Sequence, residues 1–277
     1  MGTASVFGLA VSTSYIFLTS LIAFWIRKFI HRIIKRDTLL KSVLLEFVAA
    51  AELCASCFEL AIVADNYGVL AYAVYLFSLT IWWGYSWGSA TACPYTHLED
   101  VIEGRTDLRV ALLICWAEIG GGLAIFRYIN YLWSLEIASV HKGRANAACT
   151  ADLQVHMILG ALVEAGATCL CRLFSRILGD LEPKFSNYID AFFGTSLVVA
   201  AFNYSGGYFN PVLATALKYG CEGNTTIEHF VVYWIGACLG SVAALTFYNR
   251  YVRPFTQNQN CTDTNRRTMR DQLLTHE

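Results

Sequence analysis

Two glutamates, Glu46 and Glu164, lie within long apolar stretches, and each precedes an isolated proline by nearly the same distance: 48 residues to Pro94 and 47 to Pro211. A carboxylate held in lipid costs about 2.5–3.5 kcal/mol on insertion scales, so matched carboxylates imply a matched task. At membrane depth, non-helical backbone survives only where its polar groups are met by protein or by a wet cavity. A buried carboxylate accepts such freed N–H groups, so both glutamates are read as buttresses of an irregular loop. The two prolines supply the loops. Cys93-Pro94-Tyr95 and Asn210-Pro211-Val212 each place proline where a helix can begin, since the missing N–H there would go unpaired anyway. Asn210 is a good N-cap because its side-chain oxygen accepts a free backbone N–H, whereas the Cys93 thiol is a weak donor. Helices running from Pro94 to about Glu103, closed by Gly104, and from Pro211 to Tyr219, closed by Gly220, are too short to span a bilayer. Gly88 in one copy and Gly206 and Gly207 in the other permit irregular backbone ahead of each start. Two such half-helices meeting near the midplane would aim both positive N-termini at one point, a field that repels cations and protons.

Other reactive side chains suggest less. Cys54 and Cys57 form a C-x-x-C, but neither a second ligand pair nor a catalytic loop accompanies it, so no metal site and no cofactor are assigned. The ten cysteines do not read as a disulfide framework, because six of them fall in apolar runs where Cys acts as a small apolar residue. His97 follows Pro94 by three residues, and a surface or half-helix position is favoured over a catalytic one. No Ser/His or Asp/Asp pair sits at matched depth, so an enzyme is not expected. Glu59 is read at headgroup level, Glu118 and Arg127 either form a buried pair or partner Glu52, and Trp82, Trp83, Trp87 and Trp133 suit interfacial belts.

The elements that must position these residues are membrane helices. Of 277 residues, 56% are apolar and 15% charged, well short of the roughly one quarter charged in soluble domains. Seven apolar runs, at 5–26, 42–64, 69–88, 109–135, 154–175, 188–206 and 229–249, are near the ~20 residues a crossing needs. The net charge of −1 and the lack of a basic groove exclude a nucleic-acid partner. If the N-terminus is outside, 16 of the 20 Lys and Arg residues fall in cytoplasmic segments, as the positive-inside rule requires. Positive charge follows the first run instead of preceding it, which reads as a retained anchor and not a signal peptide. The sequon at Asn224 then lies on the outer side, as a glycosylation acceptor should, while Asn260 falls in the tail. The expected organisation is an anchor and basic loop at 1–41, a membrane domain at 42–250 and a polar tail at 251–277.

Ser78-Leu79 precedes Pro94 by 16 residues and Ser196-Leu197 precedes Pro211 by 15, so repeat one (42–135) and repeat two (154–250) share a register. Three crossings separate the two starts, which inverts one copy relative to the other, an architecture of channels and transporters. Two inverted halves, each with a helix Glu and a re-entrant Pro motif, resemble the aquaporin (major intrinsic protein) superfamily, whose signature is Asn-Pro-Ala in each half. The degenerate first motif, together with Leu44-Leu45-Glu46-Phe47, Arg127-Tyr128, Leu132-Trp133-Ser134-Leu135 and Val232-Tyr233-Trp234, is similar to the unorthodox aquaporin-11 and aquaporin-12 branch.

The resemblance implies an all-α integral membrane protein: three transmembrane helices plus one half-helix per repeat, preceded by an additional N-terminal anchor. It implies that Asn210 donates its amide to passing water and that Tyr95, bulkier than Ala, narrows or redirects the midplane. The selectivity-filter positions fall at Ala73 (or Tyr72), Val198, Gly207 and Leu213, the last in place of the Arg of water-selective members. It further implies a homotetramer, an endoplasmic reticulum or other intracellular membrane with the plasma membrane as the alternative, and passage of water, glycerol or hydrogen peroxide. A degenerate channel with a structural or assembly role and a secondary transporter are the alternatives.

Overall fold

A computed structural model describes residues 5–254. The Asn260 sequon and most of the expected tail lie outside the described residues. Helix α1 (Val6–Ile33) is capped by the Ser5 hydroxyl, which accepts the Gly8 N–H at 3.1 Å. Helix α2 (Leu39–Ser86) consists of two helical arms that meet at Gly68, where φ 85° and ψ 167° are open only to glycine. The chain reverses there. Trp82 Nε1 donates to Glu52 Oε1 at 3.1 Å across a sequence separation of 30, so the two arms of α2 lie antiparallel and make two crossings.

The half-helix α3 (Pro94–Ile102) follows, then α4 (Leu108–Ala124) and α5 (Phe126–Ser134), which together run as one span with a tight turn at Ile125. The second half holds α6 (Met157–Leu181), α7 (Ser186–Ser205) and the half-helix α8 (Pro211–Lys218). It closes with α9 (Thr226–His229) and α10 (Ala237–Phe247), joined and followed by wider π-helical turns at Phe230–Gly236 and Tyr248–Val252. Among the described residues, five helices are long and apolar enough to cross a membrane, α2 counted once despite its hairpin. All seven apolar runs are therefore helical, and α7 is the one that falls short in apolarity, since it carries Asn187, Asp190 and Asn203.

The two halves are held by the same contact. An added Cβ at Gly121 on α4 would sit 2.2 Å from the Phe47 carbonyl oxygen, and one at Gly240 on α10 would sit 2.2 Å from that of Ala165. Phe47 and Ala165 each follow the buried glutamate by one residue. Glycine thus lets the third helix of each repeat press against the backbone of the first, the small-residue packing that membrane helices depend on. Gly240→Val should cost about 3 kcal/mol, the upper end of overpacking, because a backbone oxygen cannot change rotamer to escape. Gly166→Val, at a helical position where an added Cβ meets nothing within 4 Å, is the matched control. Thermal unfolding in detergent reads both, and equal melting temperatures would contradict the close approach.

Several side chains stand elsewhere than expected. Glu59 is wholly buried, not at the headgroups, and accepts from Trp133 Nε1 at 2.9 Å and His141 Nε2 at 2.8 Å. Glu52 pairs with Arg27 of α1 at 2.6 Å, while Arg127 is exposed and makes no pair with Glu118. Trp83 and Trp133 are interior, and Trp82, Trp87 and Trp133 aim their indole N–H groups at Glu52 and Glu59. A buried Trp seeks an acceptor, and these carboxylates are the acceptors at hand. Among the described residues one disulfide forms, Cys149–Cys221, which the sequence reading did not assign. It joins the loop after α5 to the end of α8, outside the apolar runs that hold Cys54, Cys57, Cys115, Cys169, Cys171 and Cys238, all free thiols.

Candidate functional site

The centre of the molecule is built twice. Ahead of α3, Glu46 accepts the Thr91 N–H at 3.0 Å and the Ala92 N–H at 2.8 Å. Ahead of α8, Glu164 accepts the Tyr208 N–H at 3.1 Å, the Phe209 N–H at 2.7 Å and the Ser205 hydroxyl at 2.6 Å. Ala92 and Phe209 occupy the same position before the cap and share the left-handed conformation, with φ 52° and 48°. Neither is glycine, so each carries strain that its surroundings must offset. The buried carboxylate supplies that offset by fixing the amides on either side of the kink. The caps also match: φ −149° and ψ 118° at Cys93, φ −149° and ψ 114° at Asn210.

The halves differ in what the cap does. Asn210 Oδ1 accepts from the Val212 and Leu213 N–H groups at 3.0 and 3.3 Å, and its Nδ2 donates to the Ala92 carbonyl at 2.7 Å. That last bond ties the N-terminus of α8 to the loop that starts α3, so the two half-helices abut. Ala92 and Val212 belong to one core cluster. Cys93 makes no side-chain cap. Tyr95 is buried against Ala237 and Cys238, with the Arg172 guanidinium 5.7 Å above its ring, so its bulk sits among α3, α6 and α10. Neither Cys93 nor Tyr95 lines the cavity described next.

A cavity of about 820 Å³ opens between both arms of α2, α4, α5, α7, the loops on either side of the disulfide and α8. Of the expected constriction positions, Gly207 and Leu213 line it. Val198 stands directly behind Gly207, where its carbonyl oxygen would be 2.7 Å from a Cβ at 207. Tyr72 lines the cavity in place of Ala73, because one residue along a helix turns a side chain by about 100°. Tyr72 meets Phe202 edge to face at 5.3 Å, and Tyr208 donates to Asp152 at 2.5 Å. Aromatic and aliphatic side chains share the wall with the charged Asp65, Arg144, Asp152 and Lys218. Asn224 lies beside the disulfide on this face, but both polar atoms of its amide are buried and unpartnered.

On the opposite side, α3 is clamped. Glu99 accepts from Arg172 Nε at 2.9 Å, from Arg172 Nη2 and Arg176 Nη2 at 2.6 Å, and from the Ser241 hydroxyl. Arg176 also reaches Glu103, a loop carboxyl that partial burial would raise but that Arg176 and Arg105 hold below its ordinary value. The residue pairs 99/103 and 172/176 both have the i,i+4 spacing of a helix face. That spacing puts each pair on one face of its own helix, while the meeting of the two faces is set by the packing of α3 against α6. His97, on α3, is buried and not at a surface. Its Nε2 is 3.2 Å from Glu118 Oε1 and 3.5 Å from Glu46 Oε1.

No protein-family model matches the chain. Aquaporin-11 of Milnesium tardigradum is 31% identical over 221 residues, which is 79% of each chain. Putative aquaporin-12A of Homo sapiens is 28% identical over 203 residues, 73% of this chain and 69% of that one. Among solved structures, the aquaglyceroporin from Plasmodium falciparum superposes with a TM-score of 0.61 over 79% of this chain and 99% of its own, at 13% identity. That likeness concerns the fold.

Proposed function

The chain belongs to the aquaporin family, and from that premise we propose that it is a passive channel for water and small neutral solutes such as glycerol and hydrogen peroxide, seated in an intracellular membrane. The observation that carries this reading is the Asn210–Ala92 bond, which brings two oppositely inserted half-helices together at their N-termini. Nearby partial positive charge from both helices favours a neutral solute over a cation. The cavity leads from one side to Gly207 and Leu213, next to that junction. With Leu213, Tyr72 and Gly207 at the constriction, the passage is less polar than one closed by an Arg, which suits glycerol and peroxide as well as water.

The disulfide supports the orientation inferred from charge. Such bonds persist in oxidising compartments, and Cys149 and Cys221 both lie in loops that the basic residues assign to the non-cytoplasmic face. The Asn224 sequon lies on that face, but its amide nitrogen, the atom a glycan would occupy, is buried in this fold. One pore per subunit of a homotetramer is the assembly that the family suggests.

Stopped-flow light scattering on proteoliposomes tests the function. Shrinkage in sucrose and re-swelling in glycerol should both exceed those of empty liposomes. Asn210→Asp keeps the capping oxygens but removes the amide that donates to Ala92, so its flux should fall to the liposome background. Wild-type flux at background for water, glycerol and peroxide alike would sink the channel reading. It would favour an assembly role, which the uncapped Cys93 and buried Tyr95 already suit.

A further inference from the structure

Three ligand-type side chains from three helices converge under the first half-helix: Glu46 from α2, His97 from α3 and Glu118 from α4, with one donor atom of each lying within 4.8 Å of the others. We propose that this cluster binds a divalent transition-metal cation of the zinc class. The spacing is the first reason. Metal–ligand arms of about 2.0–2.2 Å at a tetrahedral angle put neighbouring donor atoms about 3.3–3.6 Å apart. His97 Nε2 stands 3.2 Å from Glu118 Oε1 and 3.5 Å from Glu46 Oε1. The longer separation exceeds the usual hydrogen-bond range, yet it is an ordinary edge of a zinc polyhedron.

The second reason is independent of that spacing. Glu118 is wholly buried, and its Oε2 has no hydrogen-bond partner. A carboxylate oxygen in such a place calls for a donor or a cation. Two carboxylates and a neutral imidazole balance a divalent ion in charge, and one nitrogen with two oxygens is a ligand set that zinc accepts. Access is short. Thr91, whose N–H Glu46 accepts, is exposed, and its hydroxyl pairs with that of Thr96 next to His97. Because Glu46 also holds the loop ahead of α3, a bound ion would tie that loop to α4. The site requires no conducting pore.

The test uses the full chain, purified in detergent, stripped with chelator and titrated with zinc chloride. Isothermal titration and elemental analysis should give one tightly bound ion per chain and a higher melting temperature. Glu118→Gln, nearly isosteric and still able to bond His97, and His97→Asn should each weaken binding by 100-fold or more. His156→Asn, at an exposed histidine outside the cluster, should bind as wild type does. X-ray absorption of the loaded wild type should show only nitrogen and oxygen donors at about 2.0–2.2 Å, a readout that does not depend on any variant folding. Failure to retain a stoichiometric ion, unchanged binding in both cluster variants, or sulfur in the first coordination shell would each overturn the proposal.

Discussion

Glu164→Ala is expected to lower stability by about 2–6 kcal/mol and to abolish solute flux. Three donors lose their acceptor: the Ser205 hydroxyl and the Tyr208 and Phe209 amides. The hydroxyl can rotate to another partner, but the two amides are fixed by the backbone. Each one left unpaired costs about 1–3 kcal/mol, which sets the range. Phe209 adds its own left-handed strain at φ 48°, now without the bond that holds it there. The kink would relax, and Asn210 would move away from Ala92. A fall of at least about 5 °C in melting temperature follows for a chain of this size. Glu46→Ala should cost less, because Thr91 is exposed and water can take over its amide, and because Glu118 is relieved of a neighbouring carboxylate. Thermal unfolding in detergent ranks the two variants. An equal or reversed order would show that the exposure of Thr91 does not spare the first loop.

What the sequence made legible was the part that repeats. Glu46 and Glu164, Pro94 and Pro211, and the short stretches closed by glycine could be paired by spacing alone, and the loops fold around them as that spacing implies. Side-chain partners across helices were not legible, for a physical reason. A buried carboxylate is satisfied by whatever donor the helix packing brings to its depth, and packing depends on crossing geometry that linear spacing does not encode. Thus Glu52 meets Arg27 and not Glu118, Glu59 meets His141, and tryptophans that look like interfacial anchors turn inward to serve acids. The disulfide escaped notice because Cys149 and Cys221 are 72 residues apart in loops with no periodicity to align them. Gly121 and Gly240 were missed although they repeat as regularly as the prolines do. Glycine in an apolar run has many uses, and only the carbonyl oxygen opposite identifies this one. The filter positions suffer from the helix itself, where a one-residue offset exchanges Tyr72 for Ala73 at the cavity wall.

The leading helix α1 resembles a simple anchor in the sequence, but its contacts make it part of the folded body, and Arg27→Ala should show this by costing about 3–5 kcal/mol. Arg27 is buried and donates from Nη1 to Glu52 Oε2 at 2.6 Å and from Nη2 to Ser86 at 3.4 Å. Glu52 accepts further bonds from Trp82 and Trp87 at 3.1 and 2.9 Å, so three donors close around one carboxylate. Removing the guanidinium leaves an ionised carboxylate facing two neutral donors in a low-dielectric interior, the situation for which breaking a buried pair costs most. Glu52→Gln alone strands the cation instead and should cost a similar amount. The double variant Arg27→Ala/Glu52→Gln removes both charges and keeps an acceptor for one indole, so it should be more stable than the sum of the two losses implies. A double-mutant cycle on thermal unfolding measures the coupling, which should exceed about 1.5 kcal/mol for groups in direct contact. Strict additivity would mean that α1 rests against α2 without sharing its charge, and its removal would then leave the two arms of α2 standing as they are.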